Sequence, residues 1–127
     1  MNGLKEVNDH LGHDAGDELI LMIATVIKNN IRENDFVARL GSDEFLIIFE
    51  GLDEAASELV WQRIVREFEQ INQNDKRLYI ISVSHGIEAF IGGSNEYIDT
   101  VINLADEKMY REKKVLKKDL QIIREHS

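Results

Sequence analysis

The stretch Arg39-Leu40-Gly41-Ser42-Asp43-Glu44-Phe45 lies between two short apolar runs, residues 36–38 (FVA) and residues 45–49 (FLIIF). β-Branched and aromatic residues on both sides of a segment that contains Gly and Asp predict a β-hairpin. Its turn presents two carboxylates, Asp43 and Glu44, at a corner that solvent can reach. Such a pair suits a hard cation like Mg²⁺, which takes few protein oxygens and leaves positions for phosphates. Taken alone, the same residues also fit a charged surface turn.

The composition restricts the class of protein. The chain has 127 residues, which fits a single domain over residues 1–127, and 43% of them are hydrophobic, which is enough for a core. The net charge of −9 opposes binding to nucleic acid, because phosphate neutralisation provides much of that affinity. With no cysteine, no apolar run of membrane-spanning length and no signal peptide, we expect a cytoplasmic segment without membrane contact.

Helical periodicity predicts three helices around the hairpin. Residues 1–16 contain several turn-forming pairs and predict a loop, after which Asp14 is the expected N-cap of a helix that ends at about residues 30–32. A second helix is predicted from residues 52–54 to about residue 72, and a third from Tyr97 to about Lys114. The apolar positions that define the first two helices are Leu19, Ile20, Ile23, Val26, Ile27 and Ile31, then Ala56, Leu59, Val60, Ile64, Phe68 and Ile71.

Two further strands are predicted. Residues 79–89 alternate between larger apolar and smaller side chains, which is typical of a strand, and residues 120–123 form a short apolar run. His85, within the longer of these segments, is expected to pack in the core. The order of elements predicts an α+β fold, a mixed β-sheet with an antiparallel hairpin flanked by helices.

Three stretches together resemble the GGDEF domain of diguanylate cyclases. They are residues 8–17 (NDHLGHDAGD), residues 39–45 and residues 105–110 (ADEKMY). They occur in the family's order and at its spacing, and the resemblance extends from Leu4 to about Lys118. It implies a palm-like fold of the nucleotidyl-cyclase type. It also implies that two GTP molecules are condensed to cyclic di-GMP and pyrophosphate by a homodimer that uses Mg²⁺ or Mn²⁺.

The resemblance assigns catalytic roles to the turn of the hairpin. Asp43 corresponds to a metal ligand, and Glu44 is expected to complete the metal and phosphate environment. Gly41 allows the backbone to approach the phosphates closely. Ser42 stands where the family has a second glycine, which adds a Cβ atom and a hydroxyl group to the turn.

The resemblance also assigns substrate-binding residues. Asn8 and Asp17 correspond to the residues that read the guanine edge, where a carboxylate accepts from N1–H and N2–H₂ and an amide pairs with the acceptor atoms. Lys113 corresponds to a phosphate-binding lysine, and Lys117 replaces an arginine as a point charge. The alternatives are a helix-terminal carboxylate for Asp17 and a solvated helix end for Lys113.

Upstream of the hairpin, Arg32 and Asp35 match the family's RxxD inhibitory site for the product, and Arg63 matches an additional arginine of that site. A guanidinium can bind guanine O6 and N7, while a carboxylate accepts from N1–H and N2–H₂. The alternative is a local ion pair between Arg32 and Asp35 at a helix end, which contributes little to stability.

The chain starts later than the family pattern, and we therefore expect a truncated GGDEF domain that shows little or no turnover by itself. The family has an N-terminal helix and a first strand that ends in a metal-binding Asp, and alignment through Leu4 and Asn8 places that Asp immediately before Met1. Met1 would then occupy the position whose backbone carbonyl also binds metal. A parent protein would carry an N-terminal sensory or receiver domain. The alternative function is a catalytically inactive regulatory domain that binds GTP or cyclic di-GMP.

Overall fold

Four helices and one β-hairpin are found in residues 1–74, 77–90, 97–117 and 121–124, which are the residues that the computed structural model describes. This arrangement confirms the α+β class. No helix in these ranges is both long and apolar enough to cross a membrane. The predicted loop at residues 92–95 and Leu120 of the predicted final strand lie outside the described residues. The elements are α1 (Leu4–Leu11), α2 (His13–Asn30), β1 (Phe36–Arg39), β2 (Phe45–Ile48), α3 (Glu54–Asn74) and α4 (Ile98–Lys117).

The prediction of a loop at residues 1–16 was wrong, because most of these residues are helical. Leu4 and Val7 are buried on one face of α1, so core packing outweighs the turn-forming character of the neighbouring Gly, Asn and Asp residues. The chain turns between the two helices at Gly12, whose φ of 92° is a conformation that favours glycine. Gly12 also caps α2, so Asp14 lies in the first turn of that helix and is not its N-cap.

The predicted hairpin is confirmed. β1 pairs antiparallel with β2, from Phe36 opposite Ile48 to Arg39 opposite Phe45. The amide of Leu40 donates to the carbonyl of Glu44 at 2.8 Å and closes the loop at the base of the turn. The register therefore places Asp43 and Glu44 in the connection between the strands.

The core lies mainly between α1, α2 and α3. Leu19 and Ile23 from α2 and Ile64 from α3 are fully or almost fully buried, as the helical periodicity predicted. Leu59 was predicted for the same face but is 70% exposed. The buried positions of α3 include Ser57 and Ile64, and successive residues are rotated by about 100°. Leu59 therefore projects away from the core, and Ser57 faces it.

Residues 79–89 do not form the predicted strand in the described structure. Tyr79 makes an isolated antiparallel bridge with Ile123. The backbone amide of Asn2, in the N-terminal segment, donates to the Ser82 carbonyl at 2.8 Å. A strand requires a continuous ladder with one neighbour. Here separate segments satisfy short parts of the backbone, so no ladder extends along residues 79–89.

The side chain of Asn72 replaces a strand neighbour at one residue of this segment. Its Nδ2 donates to the Ile81 carbonyl, and its Oδ1 accepts from the Ile81 amide, both at 2.8 Å. Ile81 is only 5% exposed, so water cannot readily replace these two bonds. The end of α3 is thereby fixed to the segment.

Gly86 allows α4 to pack directly on residues 79–90. A Cβ atom at Gly86 would lie 1.8 Å from the Ala105 carbonyl oxygen and 2.7 Å from the Met109 amide nitrogen. Only glycine permits this approach of two backbones. The position of α4, and of the side chains it carries, therefore depends on Gly86.

His85 bridges two helices from a largely buried position, with 19% of its side chain exposed, and it makes polar contacts that the prediction of core packing did not include. Its Nδ1 lies 3.0 Å from Oε1 of Glu112 on α4, and its Nε2 lies 2.8 Å from Oε1 of Glu58 on α3. The ring also stacks on Trp61, with 4.6 Å between centroids. Through these contacts His85 connects α3 and α4 to residues 79–90.

The paired bonds of Asn72 lead to a stability prediction. We expect Asn72→Ala to lower the free energy of unfolding by about 2 kcal/mol, because the buried Ile81 amide and carbonyl lose their partners. Urea denaturation measures this change. Asn74→Ala is the matched control, since Asn74 is exposed at the end of the same helix. Equal losses for the two variants would contradict the proposed role of the Asn72 side chain.

Candidate functional site

The turn of the hairpin contacts both the N-terminal segment and α4. The Met1 α-ammonium donates to the Asp43 carbonyl at 2.7 Å, and Nζ of Lys113 lies 4.0 Å from Oδ2 of Asp43. Burial lowers the pKa of the Met1 α-ammonium. The structure therefore brings together three residues that the sequence predicted for one site, Met1, Asp43 and Lys113.

A third carboxylate, Asp106 of α4, completes an acidic cluster at this turn. The pKa of Glu44 is raised, mainly by a hydrogen bond with Asp106 and to a smaller extent by desolvation and the nearby negative charges. Asp106 was quoted within residues 105–110 but received no predicted role. Its position could not be inferred from spacing, because it depends on how α4 packs against the hairpin.

The acidic cluster of Asp43, Glu44 and Asp106 fits a partly protein-bound cation. Within the described ranges, no group of three or more His, Cys, Asp and Glu residues has the arrangement of an all-protein metal cage. Mg²⁺ commonly uses only one or two carboxylates and takes its other ligands from phosphates and water. Asp43, whose side chain is 47% exposed, and the adjacent Glu44 match that requirement.

Gly41 and Ser42 form an open part of the turn. A Cβ atom at Gly41 would meet nothing within 4 Å, and no non-glycine residue in the described chain has a positive φ. The Ser42 carbonyl accepts a hydrogen bond from Nη2 of Arg39 at 2.7 Å. Ser42 therefore occupies its position without the backbone strain that a left-handed conformation would impose.

Asn8 and Asp17 lie at a second location, the elbow between α1 and α2. Asn8 is half-buried against Gly16, and Asp17 is exposed in the N-terminal part of α2. Glu18, the next residue, accepts hydrogen bonds from Nε of Arg77 at 2.5 Å and from the Tyr79 hydroxyl at 2.6 Å. Among the described residues, no hydrogen bond or ion pair connects Asn8 or Asp17 to the turn of the hairpin.

Arg32 and Asp35 form a local ion pair, which was the alternative interpretation of the RxxD pattern. The Arg32 guanidinium donates to Asp35 through Nε at 3.1 Å and Nη2 at 2.8 Å, and the Arg32 and Glu50 amides also donate to this carboxylate. These bonds lower the pKa of Asp35 to about 2, and the bond from the Arg32 guanidinium has the largest effect. The Asp35 side chain is 1% exposed and that of Arg32 is 54% exposed.

Arg63 approaches the same end of α2. Its Nη2 donates to the Asn30 carbonyl at 3.4 Å, and the Arg32 guanidinium donates to the Glu50 carbonyl. Two guanidinium groups thus lie near the C-terminus of α2. Lys117 is the last residue of α4, but its side chain lies outside the described structure.

Comparison with known proteins identifies relatives over most of the chain. The family described as "Diguanylate cyclase, GGDEF domain" matches residues 1–118. The bifunctional diguanylate cyclase/cyclic di-GMP phosphodiesterase MucR of Pseudomonas aeruginosa is 35% identical over 113 residues, which are 89% of this chain and 16% of MucR. The probable diguanylate cyclase DgcJ of Escherichia coli is 35% identical over 111 residues, which are 87% of this chain and 21% of DgcJ. The chain thus spans about a fifth of these curated relatives.

Solved structures show the same fold. The GGDEF domain of DgcB from Caulobacter crescentus, determined in complex with c-di-GMP, superimposes with a TM-score of 0.79 at 28% identity. The match covers 90% of this chain and 68% of that structure.

The Asp35 interactions lead to a prediction about pH. Because the pKa of Asp35 is about 2 in the folded chain against an ordinary value of 3.8, its ionised form stabilises the fold above about pH 4, and this contribution is lost as the pH falls toward about 2. We therefore expect Asp35→Asn to destabilise the chain at about pH 7 and the deficit to shrink as the pH is lowered. Urea denaturation over this range measures it.

Glu33→Gln is the control for this measurement, since Glu33 is exposed next to the pair. We expect Glu33→Gln to have little effect at either pH. A deficit for Asp35→Asn that is the same at neutral and acidic pH would contradict the account.

Proposed function

This chain belongs to the diguanylate cyclase GGDEF domain family, and on that basis we propose that it condenses two GTP molecules to cyclic di-GMP and pyrophosphate. The observation that carries this proposal is the convergence of Asp43, Glu44 and Lys113 at the turn of the hairpin. Carboxylates for a cation and a lysine for phosphate are the groups that nucleotidyl transfer requires at one place.

In this proposal, Asp43 and Glu44 would hold Mg²⁺ or Mn²⁺, and Asp106 lies beside Glu44, whose pKa it raises in the metal-free chain. A metal ion bound there would polarise the phosphate and lower the pKa of the attacking hydroxyl group. Lys113 neutralises charge on the triphosphate, and Gly41 leaves open space beside the turn. The 3′-hydroxyl oxygen of each GTP forms a bond to the α-phosphorus of the other, two pyrophosphates leave, and each hydroxyl proton passes to water. Lys117 is proposed as a second phosphate-binding cation.

Guanine recognition is assigned to Asn8 and Asp17. The Asp17 carboxylate accepts from N1–H and N2–H₂, and the Asn8 amide pairs with an acceptor of the base. Each chain of this proposed enzyme holds one GTP, so the reaction requires two copies that face each other. We also propose a cytoplasmic location, where GTP is available, and an accompanying N-terminal sensory or receiver domain, since the relatives are much longer than this chain.

A regulatory domain that binds GTP or cyclic di-GMP without turnover is the second candidate. The half-exposed Arg32 guanidinium favours it, because Asp35 fixes its orientation while its outer face remains accessible. Together with Arg63, such a group can bind guanine O6 and N7. This site is also compatible with product inhibition in an active enzyme.

The enzyme proposal is tested by measuring cyclic di-GMP formed from GTP and Mg²⁺, using this chain and any longer natural protein that contains it. We expect product formation by the longer protein and little or none by this chain alone, and we expect Asp43→Ala in the longer protein to reduce the rate by at least about 100-fold through loss of transition-state charge stabilisation. Glu69→Ala, at an exposed position of α3, is the control and should retain the rate.

Two outcomes would contradict the enzyme proposal. A fully active Asp43→Ala variant would remove the assigned metal site. Absence of product, combined with cyclic di-GMP binding that Arg32→Ala abolishes, would establish the regulatory role instead. Calorimetric titration provides the binding measurement.

A further inference from the structure

The amide of Asn8 occupies the space above Gly16 of α2. A Cβ atom at Gly16 would lie 1.8 Å from Oδ1, 2.8 Å from Cγ and 3.4 Å from Nδ2 of Asn8. Gly16 is buried, lies inside α2 and has no positive φ. Glycine is among the least favourable residues within a helix. Neither helix formation nor backbone conformation therefore calls for glycine at this position, whereas the space taken by Asn8 does.

Gly86 provides a contrast that defines this role. The three atoms nearest to a Cβ at Gly86 are all backbone atoms of α4, so Gly86 allows two segments of main chain to approach. The three atoms nearest to a Cβ at Gly16 all belong to the Asn8 side chain. A side chain at position 16 would thus displace a flexible amide rather than separate two backbones.

Apart from its contact with Gly16, the side-chain amide of Asn8 is weakly held. Within the described residues it makes no hydrogen bond, so both its donor and its acceptor are available to a ligand. Its backbone is fixed, because the Asn8 carbonyl accepts from the Gly12 amide at 3.0 Å at the one-residue elbow between α1 and α2. Contact with Gly16 is therefore what locates the amide on α2, next to Asp17 in sequence.

We propose that Gly16 is a positioning residue for nucleotide selectivity, which it exerts by seating the Asn8 amide against the first turns of α2 beside Asp17. This inference rests on the proposed function, in which Asn8 and Asp17 read the guanine base. An added methyl group at position 16 leaves the fold intact and moves the amide away from the base. Guanine binding is then weakened while contacts to the triphosphate are preserved.

The experiment compares two nucleotides that cannot react, 3′-deoxy-GTP and 3′-deoxy-ATP, by calorimetric titration with Mg²⁺. We expect Gly16→Ala to lower affinity for 3′-deoxy-GTP roughly tenfold, as expected for loss of one hydrogen bond, and to leave 3′-deoxy-ATP binding unchanged. Asp14→Ala, an exposed change in the first turn of α2, should alter neither affinity. In an Asn8→Ala background, Gly16→Ala should cause no further loss.

The outcomes separate this inference from the proposed function. If the unaltered chain binds 3′-deoxy-GTP and Gly16→Ala binds it equally well, the role of Gly16 is overturned and the function stands. If Gly16→Ala weakens both nucleotides equally, the role in selectivity is also overturned. If the unaltered chain does not bind 3′-deoxy-GTP, the proposed function fails, and this inference fails with it.

A thermal-unfolding cycle covers the case in which Gly16→Ala reduces stability. The Asn8 atoms near position 16 all lie beyond Cβ, so Asn8→Ala removes every one of them. We expect any decrease in Tm caused by Gly16→Ala to disappear in the Asn8→Ala background. An equal decrease in both backgrounds would show that the Asn8 amide is not what Gly16 accommodates, and would overturn the proposal.

Discussion

Satisfying the backbone hydrogen bonds of residues 79–86 is the constraint on which the rest of the structure depends. This segment has no continuous strand neighbour among the described residues, so its polar groups are paired piece by piece. The backbone amide of Asn2 donates to the Ser82 carbonyl, and its side-chain amide donates to the hydroxyl oxygens of Ser82 and Ser84. The side chain of Asn72 binds the backbone of Ile81. The N-terminal segment and the end of α3 are thereby attached to one piece of backbone.

The attachment of these elements also determines the geometry of the candidate site. Asn2 fixes the residue beside it, Met1, whose nitrogen contacts the Asp43 carbonyl. On the other side, Gly86 permits the close approach of α4, which carries Asp106 to Glu44 and Lys113 to Asp43. The acidic cluster is thus assembled from the hairpin and a distant helix. Its net negative character favours a divalent cation together with a phosphate that Lys113 can bind.

Local patterns in the sequence predicted the elements whose formation depends on their own residues. The apolar alternation and turn residues of the hairpin, and the periodicity of α2 and α3, were sufficient because each pattern also defines the buried face. The same reasoning failed where a distant partner decides the result. Residues 79–89 alternate as a strand does, yet Asn72, Asn2 and Ile122 each pair with the backbone of only one residue of this segment. His85 binds Glu58 and Glu112, which lie on two different helices, and Asp106 reaches Glu44 only through the packing of α4.

The central claim is that the turn of the hairpin, supported from both sides, holds a divalent cation with the nucleotide phosphates. Anomalous X-ray diffraction from crystals grown with Mn²⁺ and 3′-deoxy-GTP tests it most directly, because manganese is located without reference to the protein. The account predicts an anomalous peak bound to Asp43, with the triphosphate beside Lys113 and the base at Asn8 and Asp17. Manganese located away from the turn, or a nucleotide bound elsewhere with no peak at Asp43, would contradict it.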